Sequence, residues 1–183
     1  MWFVVGVLAL AVALLIEERR GLLRIGARAP GFTSADAGSG TTSLRELSGN
    51  KALILYFYPK DFTAGCTKEA CGFRDHLARI QTLDGAILGV SHDSSASHEA
   101  FGSRHSLQFP LLSDPDGSLR RRYGVLRLGG LIPLTKRVTY VIDRNGIVRA
   151  VIHDELFMNR HVDKAIAVLE KLKSGEEQIS DSK

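Results

Sequence analysis

The sequence predicts one α/β domain in which helices flank a central mixed sheet. Residues 51–59, KALILYFYP, are uninterruptedly apolar and aromatic apart from the first, which is typical of a strand buried on both faces. Helix-like and strand-like segments then alternate along the chain. Residues 137–153 hold two β-rich runs around Asn145-Gly146, a pair that favours a tight antiparallel hairpin. This order, closed by a last helix, is typical of a thioredoxin-like sandwich.

The remaining elements follow from local patterns. Residues 86–93, AILGVSHD, predict a second strand. A long helix is predicted over 63–83, because its apolar side chains recur at helical spacing at Ala70, Phe73, Leu77 and Ile80. Shorter helices are predicted at 98–106 and 118–125, the second after a turn at 114–117. A last helix is predicted at 161–173, with one apolar face made by Val162, Ile166, Leu169 and Leu172.

Composition is that of an ordinary globular protein. The chain has 183 residues, 44% hydrophobic and 24% charged, which suits one domain with a real core and excludes a disordered or fibrous class. Its net charge is +4, and the basic residues are spread along the chain, so we expect no nucleic-acid partner. Two cysteines cannot build a disulfide framework, so chemistry is the better reason for the pair.

The first sixteen residues, MWFVVGVLALAVALLI, carry no charged side chain. At helical rise they reach about 24 Å, slightly less than the roughly 30 Å core of a bilayer. Cations follow the run, at Arg19, Arg20, Arg24 and Arg28, and none precedes it. The pattern predicts an N-terminal hydrophobic anchor helix that spans the membrane, with the domain facing the cytoplasm. The alternative is a signal segment that is cleaved on export.

The chain therefore divides into four parts. Residues 1–16 are the anchor or signal, and residues 17–30 mix charge, Gly and Pro as a linker does. Residues 31–173 form the predicted domain, and residues 174–183 are a polar tail without an apolar period.

Both cysteines lie within residues 56–76, YFYPKDFTAGCTKEACGFRDH. Pro59 ends the buried strand and a helix begins shortly after it, so Cys66 lies near the start of that helix. Unpaired N–H groups and the helix dipole stabilise a thiolate there, which makes Cys66 a candidate nucleophile. Thr63 can place a hydroxyl beside the sulfur, Gly65 leaves the approach open, and Pro59 forms a rigid wall.

Cys71 follows Cys66 by five positions. In a helix this separation means about 7.5 Å of rise and roughly 140° of rotation, whereas a disulfide needs Cα atoms within about 7 Å. An intact helix cannot form the bond. If the two thiols react, the helix must unwind, so the spacing favours a disulfide made and broken in a cycle over a permanent one.

Two other interpretations of the cysteines are open. The first is a pair of inert buried thiols. The second is a zinc site completed by His76 and His92, although ligands on one helix at this spacing converge poorly and we expect no metal. The other histidines show no ligand spacing, and we expect them at the surface or at helix caps: His98, His105, His153 and His161.

The stretch YPKDFTAGCTKEAC resembles the peroxiredoxins, and among them the bacterioferritin-comigratory or Q-type branch. Three later blocks stand in the order and spacing of that family: ILGVSHDSSASHEAF, LQFPLLSDPDGSLRRRYGV and RVTYVIDRNGIVR. The resemblance covers roughly residues 25–173. It implies a thioredoxin-like fold and a peroxidase.

Carried over to this chain, the resemblance makes Cys66 the peroxidatic cysteine and Cys71 the resolving one. Pro59 and Thr63 then complete the peroxide pocket together with Arg137. A guanidinium beside the sulfur stabilises the thiolate and can donate to both peroxide oxygens as their bond breaks.

Glu69 is a supporting candidate with two interpretations. It either accepts from Arg137 and holds that side chain in place, or it is a solvated carboxylate on the helix surface. Gly65 is the second supporting candidate.

The implied reaction reduces hydrogen peroxide and organic hydroperoxides. It passes through a sulfenic acid on Cys66 and a disulfide with Cys71, which thioredoxin or a similar dithiol reduces. No metal, haem or flavin is implied, and the branch suggests a monomer. The alternative function is a membrane-tethered thiol–disulfide relay or redox sensor, although relays on this fold usually carry the closer spacing C-x-x-C.

Overall fold

The computed structural model of the chain describes residues 21–31, 33–34, 42–43, 50–127 and 134–175. A five-stranded sheet lies at its centre, with the strand order β5-β4-β3-β6-β7. These strands are β3 (Ala52–Phe57), β4 (Gly85–Ser91), β5 (Leu111–Ser113), β6 (Val138–Ile142) and β7 (Val148–His153). Two short strands, β1 (Thr33–Ser34) and β2 (Thr42–Ser43), pair antiparallel apart from this sheet.

Helices cover both sides of the sheet. In chain order, the helices of the described ranges are α1 (Ala64–Asp75), α2 (Leu77–Thr82), α3 (Ser95–His105), α4 (Ser118–Arg122) and α5 (Met158–Ser174). The predicted α/β architecture, a mixed sheet flanked by helices, is confirmed.

Strand β3 is buried along its whole length, as its apolar run predicts. Successive side chains of a strand point to opposite faces, so β3 contributes to two cores. Ile54 and Tyr56 belong to the core that α1, α2 and α5 cover. Leu55 and Phe57 belong to the core on the other face. The first core contains Phe73, Leu77 and Ile80 of the first predicted stripe and Val162, Ile166 and Leu169 of the last, and Leu172 borders it. Ala70 is buried as well.

Strand directions bring three chain segments to one end of the sheet. β3 and β4 are parallel, whereas β6 is antiparallel to β3 and pairs Val138 with Phe57. β7 is antiparallel to β6 and pairs His153 with Val138. The end of β3, the start of β6 and the end of β7 are therefore neighbours. Residues that follow β3, precede β6 or follow β7 meet there, far apart in sequence.

The structure differs from the predicted elements in two ways: one predicted helix is broken, and three short strands are additional. The helix predicted over 63–83 is broken at His76, whose φ of −105° and ψ of 7° leave the helical region. His76 Nδ1 lies 2.9 Å from the carbonyl oxygen of Gly72, so the side chain competes for a helical acceptor. The strands β1, β2 and β5 are also absent from the sequence predictions, because runs of two or three residues carry no measurable period.

The segment predicted as a linker lies against the sheet in its described part. Gly26 N donates to Val148 O and Ala29 N donates to Gly146 O, both at 2.8 Å. Leu22 and Leu23 pack against the core that contains Phe57. Residues 22–29 therefore extend the folded unit beyond the predicted start at 31. The domain limits themselves stay predictions.

The localisation predicted from the sequence, a membrane-anchored domain, is wrong. Within the described ranges no helix is both long and apolar enough to cross a bilayer. The longest of these helices, α5, has 17 residues and carries charged side chains, whereas a span needs about 20 predominantly apolar residues. The proposed anchor, residues 1–16, lies outside the described residues.

Gly89 in β4 permits the close packing of the first core. A Cβ there would lie 2.6 Å from Leu111 Cδ2 and 2.7 Å from the Tyr56 hydroxyl. We expect Gly89→Ala to lower the free energy of unfolding by about 1–3 kcal/mol, because overpacking forces neighbours to move. Urea unfolding measures the change.

Gly102→Ala is the matched control. Gly102 lies in α3, where an added Cβ meets no atom within 4 Å, so the variant should gain about 0.5–1 kcal/mol from helix propensity. If Gly89→Ala unfolds at the same urea concentration as the native chain, the contact with Tyr56 does not limit packing.

Candidate active site

Cys66 lies in the first turn of α1 and is only 1% exposed. Thr63 is the N-cap residue, with the extended backbone of a cap, and the helix runs unbroken from Ala64. The first N–H groups of a helix have no intrahelical acceptor, so the environment of the sulfur favours an anion. This placement at a helix start is the one predicted from the sequence.

Arg137 joins Cys66 to a carboxylate. Its Nη2 donates to Cys66 Sγ at 3.3 Å, and its Nη1 donates to Glu69 Oε2 at 2.5 Å. Arg137 directly precedes β6, and the antiparallel pairing of β6 with β3 is what delivers it to this end of the sheet. Burial lowers the pKa of Arg137, but Glu69 and Cys66 raise it more, so the guanidinium stays charged.

Glu69 is fully buried one turn after Cys66. The interpretation as a solvated surface carboxylate is therefore wrong, and Glu69 faces Arg137. Burial raises the pKa of Glu69 above its ordinary value, although nearby His161 and Arg137 act in the opposite direction.

Gly65 is required by the close approach of the guanidinium. A Cβ at this position would lie 3.2 Å from Arg137 Nη2 and 3.7 Å from Met158 Sδ. The contact at 3.2 Å is tighter than ordinary van der Waals packing, so a side chain here would push Arg137 away from Cys66. The glycine thus makes room for the side chain of Arg137.

Thr63 and Pro59 lie in the loop that connects β3 to α1. Thr63 is exposed, and its hydroxyl donates to Lys60 O at 3.0 Å. The hydroxyl oxygen keeps its lone pairs and can accept a hydrogen bond from another group. Pro59 is half-buried directly after β3. Between them Phe62 adopts a φ of 60°, an unusual conformation for a bulky residue and a local strain in the loop.

Cys71 lies on the same unbroken helix as Cys66. Both are free thiols, and Cys71 is half-buried. The helix predicted between the two sulfurs is therefore present. Formation of a disulfide between them requires part of α1 to unwind.

Glu155 fixes the backbone of Arg137. Its Oε1 accepts from Arg137 N at 3.1 Å and from Arg127 Nη2 at 2.8 Å. Burial raises the pKa of Glu155. Hydrogen bonds from His153 and Arg137 N and the charge of Arg127 outweigh this effect, so the pKa lies below its ordinary value. Glu155 follows β7 and was not predicted, because its position at this end of the sheet depends on the strand pairing.

A buried polar cluster around Asp61 holds the loop between β3 and α1. The Asp61 carboxylate accepts from Tyr58 at 2.8 Å and from Ser97 at 2.7 Å, and lies 2.8 Å from His98 Nδ1. Its backbone N donates to Asp93 Oδ2 at 2.8 Å. Because these partners lie just after β3, just after β4 and in α3, the loop is tied to three parts of the fold at once.

Sequence reasoning missed Asp61 and misassigned two histidines. His98 and His161 were expected at the surface or at caps, but they are 5% and 0% exposed. A signal was available: His98 lies three residues before buried Phe101 on α3, and His161 lies four residues before buried Ala165 on α5. Helical spacing therefore places both on inward faces.

The zinc alternative finds no support in the described part of the chain. No three His, Cys, Asp or Glu side chains there are grouped so that they could hold a metal ion. Of the two histidines considered as ligands, His76 faces the Gly72 carbonyl and His92 is exposed.

Comparison with a family model matches residues 25–151 to the AhpC/TSA family. Among curated relatives, the chain is 40% identical over 149 residues to peroxiredoxin Q, chloroplastic, of Sedum lineare, covering 81% of this chain and 78% of the relative. That relative is named for the chloroplast and not for a membrane anchor, which also stands against the predicted localisation.

Two solved structures are similar in fold and sequence. Peroxidoxin BcpB from Mycobacterium tuberculosis superposes with a TM-score of 0.75 at 36% identity, covering 82% of this chain and 98% of that chain. The bacterioferritin comigratory protein of Xanthomonas campestris, described with an alkyl peroxide reduction activity, has a TM-score of 0.68 at 31% identity. It covers 84% of this chain and 99% of that chain. The thioredoxin-like fold is confirmed.

Asp61→Asn tests the cluster that holds the loop. Burial raises the pKa of Asp61, but hydrogen bonds from His98, Ser97 and Tyr58 lower it below its ordinary value. A carboxyl whose pKa is lowered on folding stabilises the protein above the unfolded pKa of about 4, and this contribution is lost as the pH falls. We expect the variant to lose about 1–3 kcal/mol at pH 7 and the difference from the native chain to shrink in acid.

Urea unfolding at pH 7 and near pH 3 measures both differences. Asp75→Asn is the control, because Asp75 is exposed and pairs only with its neighbour Arg74 among the interactions described for it. An Asp61→Asn deficit of equal size at both pH values would contradict the role of the charge.

Proposed function

The chain belongs to the AhpC/TSA family and is a peroxiredoxin, and we propose that Cys66 is the sulfur that attacks the peroxide. The observation that carries the proposal is the contact of 3.3 Å between Arg137 Nη2 and a buried Cys66 Sγ at a helix start. The thiolate is the reactive form of cysteine, and a cation together with helix N–H groups favours it.

The first step converts a thiolate and a hydroperoxide into a sulfenic acid and water or an alcohol. Cys66 Sγ forms a bond to the protonated peroxide oxygen, the O–O bond breaks, and the proton of the attacked oxygen passes to the leaving oxygen, which gives a sulfenate and water or an alcohol. One proton from solvent then converts the sulfenate into the sulfenic acid. Arg137 stabilises the charge that develops on the leaving oxygen, since its planar fork offers several donors. Thr63 accepts from the peroxide O–H, because its own proton is given to Lys60 O. Pro59 forms the wall that keeps water away.

The second step forms the disulfide. The Cys71 thiol attacks the sulfenic sulfur, and water leaves. The step requires α1 to unwind, and Glu69 lies between the two cysteines, so its contact with Arg137 breaks at this point. A dithiol of the thioredoxin type then reduces the disulfide by exchange. We propose that the enzyme works as a monomer.

We propose hydrogen peroxide and organic hydroperoxides as the substrates. The Xanthomonas relative is described with alkyl peroxide reduction. In this chain two exposed phenylalanines are sequence neighbours of residues around the site. Phe62, next to Thr63, is 47% exposed, and Phe157, next to Met158, is 54% exposed. Met158 reaches the vicinity of Gly65. Such side chains favour an alkyl substituent on the peroxide.

Replacement of each cysteine tests the proposed cycle. We expect Cys66→Ser to abolish peroxide consumption in an assay with thioredoxin, thioredoxin reductase and NADPH. Cys71→Ser should consume about one equivalent and then stop, because the sulfenic acid cannot be resolved within the chain. Mass spectrometry of the peroxide-treated native chain should show a 66–71 linkage.

A different result would favour the thiol–disulfide relay. That function requires a slow reaction with peroxide together with fast exchange onto a protein disulfide. A native chain that remains a dithiol after peroxide treatment would contradict the proposed cycle.

Arg137→Lys tests whether the site needs the planar guanidinium with its several N–H donors, or only a positive charge. An ammonium keeps the charge but cannot donate to Glu69 and Cys66 in the same geometry, so we expect kcat/KM for hydrogen peroxide to fall by about 10–100-fold. Arg144→Lys is the control, because Arg144 is exposed and pairs with Asp84 at another site. Equal kcat/KM values for the two variants would show that charge alone is sufficient.

A further inference from the structure

His161 lies beside Glu69, with its Nδ1 at 3.4 Å from Glu69 Oε1. It belongs to α5 and is fully buried against α1. Its Nε2 lies 2.8 Å from Asp154 O, and its Nδ1 lies 2.8 Å from Thr139 Oγ1 and 3.4 Å from Glu69 Oε1. Its contacts therefore reach the same carboxylate that holds Arg137, from the opposite oxygen.

The partners of His161 restrict where its protons lie. Asp154 O is a carbonyl oxygen and can only accept, so Nε2 carries a hydrogen. On the other side of the ring, Glu69 Oε1 is buried and has no hydrogen-bond partner within normal geometry among the described residues. An unprotonated Nδ1 could accept from the Thr139 hydroxyl at 2.8 Å, but Glu69 Oε1 would then stay buried without any donor, which is costly.

One proton between Nδ1 and Oε1 removes that cost. It lies either on His161, giving an imidazolium beside a carboxylate, or on Glu69, giving a neutral pair. The charged groups around it are Arg137 before β6 and Glu155 after β7, and Thr139 contributes a hydroxyl from β6. In both arrangements Oε1 has a partner, so the carboxyl group of Glu69 is held in the position where Oε2 contacts Arg137.

We propose that His161 is a positioning residue of the peroxidase site: a proton shared with Glu69 Oε1 fixes the carboxylate that keeps Arg137 Nη2 against Cys66 Sγ. The proposal rests on the proposed function for its kinetic consequence. His161 acts through Glu69 and Arg137 and does not contact the peroxide itself.

Two amide variants separate this role from simple packing. In His161→Asn the side-chain amide overlaps the position of Nδ1 and can still donate to Glu69 Oε1. In His161→Gln the amide overlaps the position of Nε2 and can still donate to Asp154 O, while the donor toward Glu69 is lost. Both replace a buried ring by a smaller amide, so a merely structural role predicts that both are impaired.

The readouts are the rate of peroxide reaction and the rate of Cys66 alkylation by iodoacetamide at pH 7, the latter in a Cys71→Ser background so that one thiol reports. We expect both rates to fall about tenfold in His161→Gln, because a weaker contact between Arg137 and Cys66 lowers the fraction of the sulfur present as thiolate. His161→Asn should recover most of this loss. The deficit of His161→Gln should shrink as the pH is raised, because alkali supplies the thiolate without help from Arg137.

His92→Gln is the control, because His92 is exposed, and it should match the native chain in both assays. Equal losses in the two His161 variants, or native rates in His161→Gln, would overturn the proposal. The alkylation rate does not depend on peroxidase activity. If the native chain fails to reduce peroxide while the alkylation pattern holds, the proposed function fails and the positioning role stands.

A spectroscopic measurement covers the case in which His161→Gln does not fold. In protein labelled with ¹⁵N-histidine, the His161 Nδ1 resonance should move when Glu69 is replaced by Gln, because the proton shared with the carboxylate is lost. A resonance that stays in place would overturn the proposal.

Discussion

The site depends on one buried guanidinium that is shared by a sulfur and a carboxylate. Arg137 is 6% exposed, and removal of a cation from water is costly unless anionic partners compensate. Glu69 and Cys66 are those partners, and both belong to the first turns of α1. The arginine therefore links the sulfur of Cys66 to a carboxylate on the same helix, and Gly65 and Glu155 act on the position of this guanidinium.

Sheet topology and the second layer of polar contacts hold this arrangement. Because β6 is antiparallel to β3, the residue before β6 meets the loop after β3. Glu155 anchors the backbone of Arg137, and the Asp61 cluster ties the loop to its surroundings. His161 supports Glu69 from α5. Helix α1, which carries Cys66 and Glu69, must unwind during the proposed cycle. These contacts therefore define a closed state that the second step has to leave.

Local patterns predicted the parts of the fold that have a period. The buried run at 51–59, the hairpin at Asn145-Gly146 and the apolar stripes of the helices are present. Patterns failed where a single contact decides the outcome. The side chain of His76 interrupts a helix whose apolar stripe is continuous. Residues 26–29 form backbone hydrogen bonds with Gly146 and Val148 at the start of β7, although their composition is that of a linker. The membrane localisation was also wrong, and it depended on residues 1–16, which lie outside the described residues.

The sequence by itself determined that two thiols lie five residues apart at the start of one helix, and that an intact helix keeps them from pairing, because helical rise and rotation depend only on spacing. Only the tertiary structure decided which charges surround the sulfur. Arg137 is 71 residues from Cys66 and 68 from Glu69, and His161 lies on a different helix. Such contacts depend on strand order and helix packing, and no local pattern encodes whether a given carboxylate or imidazole is buried among them.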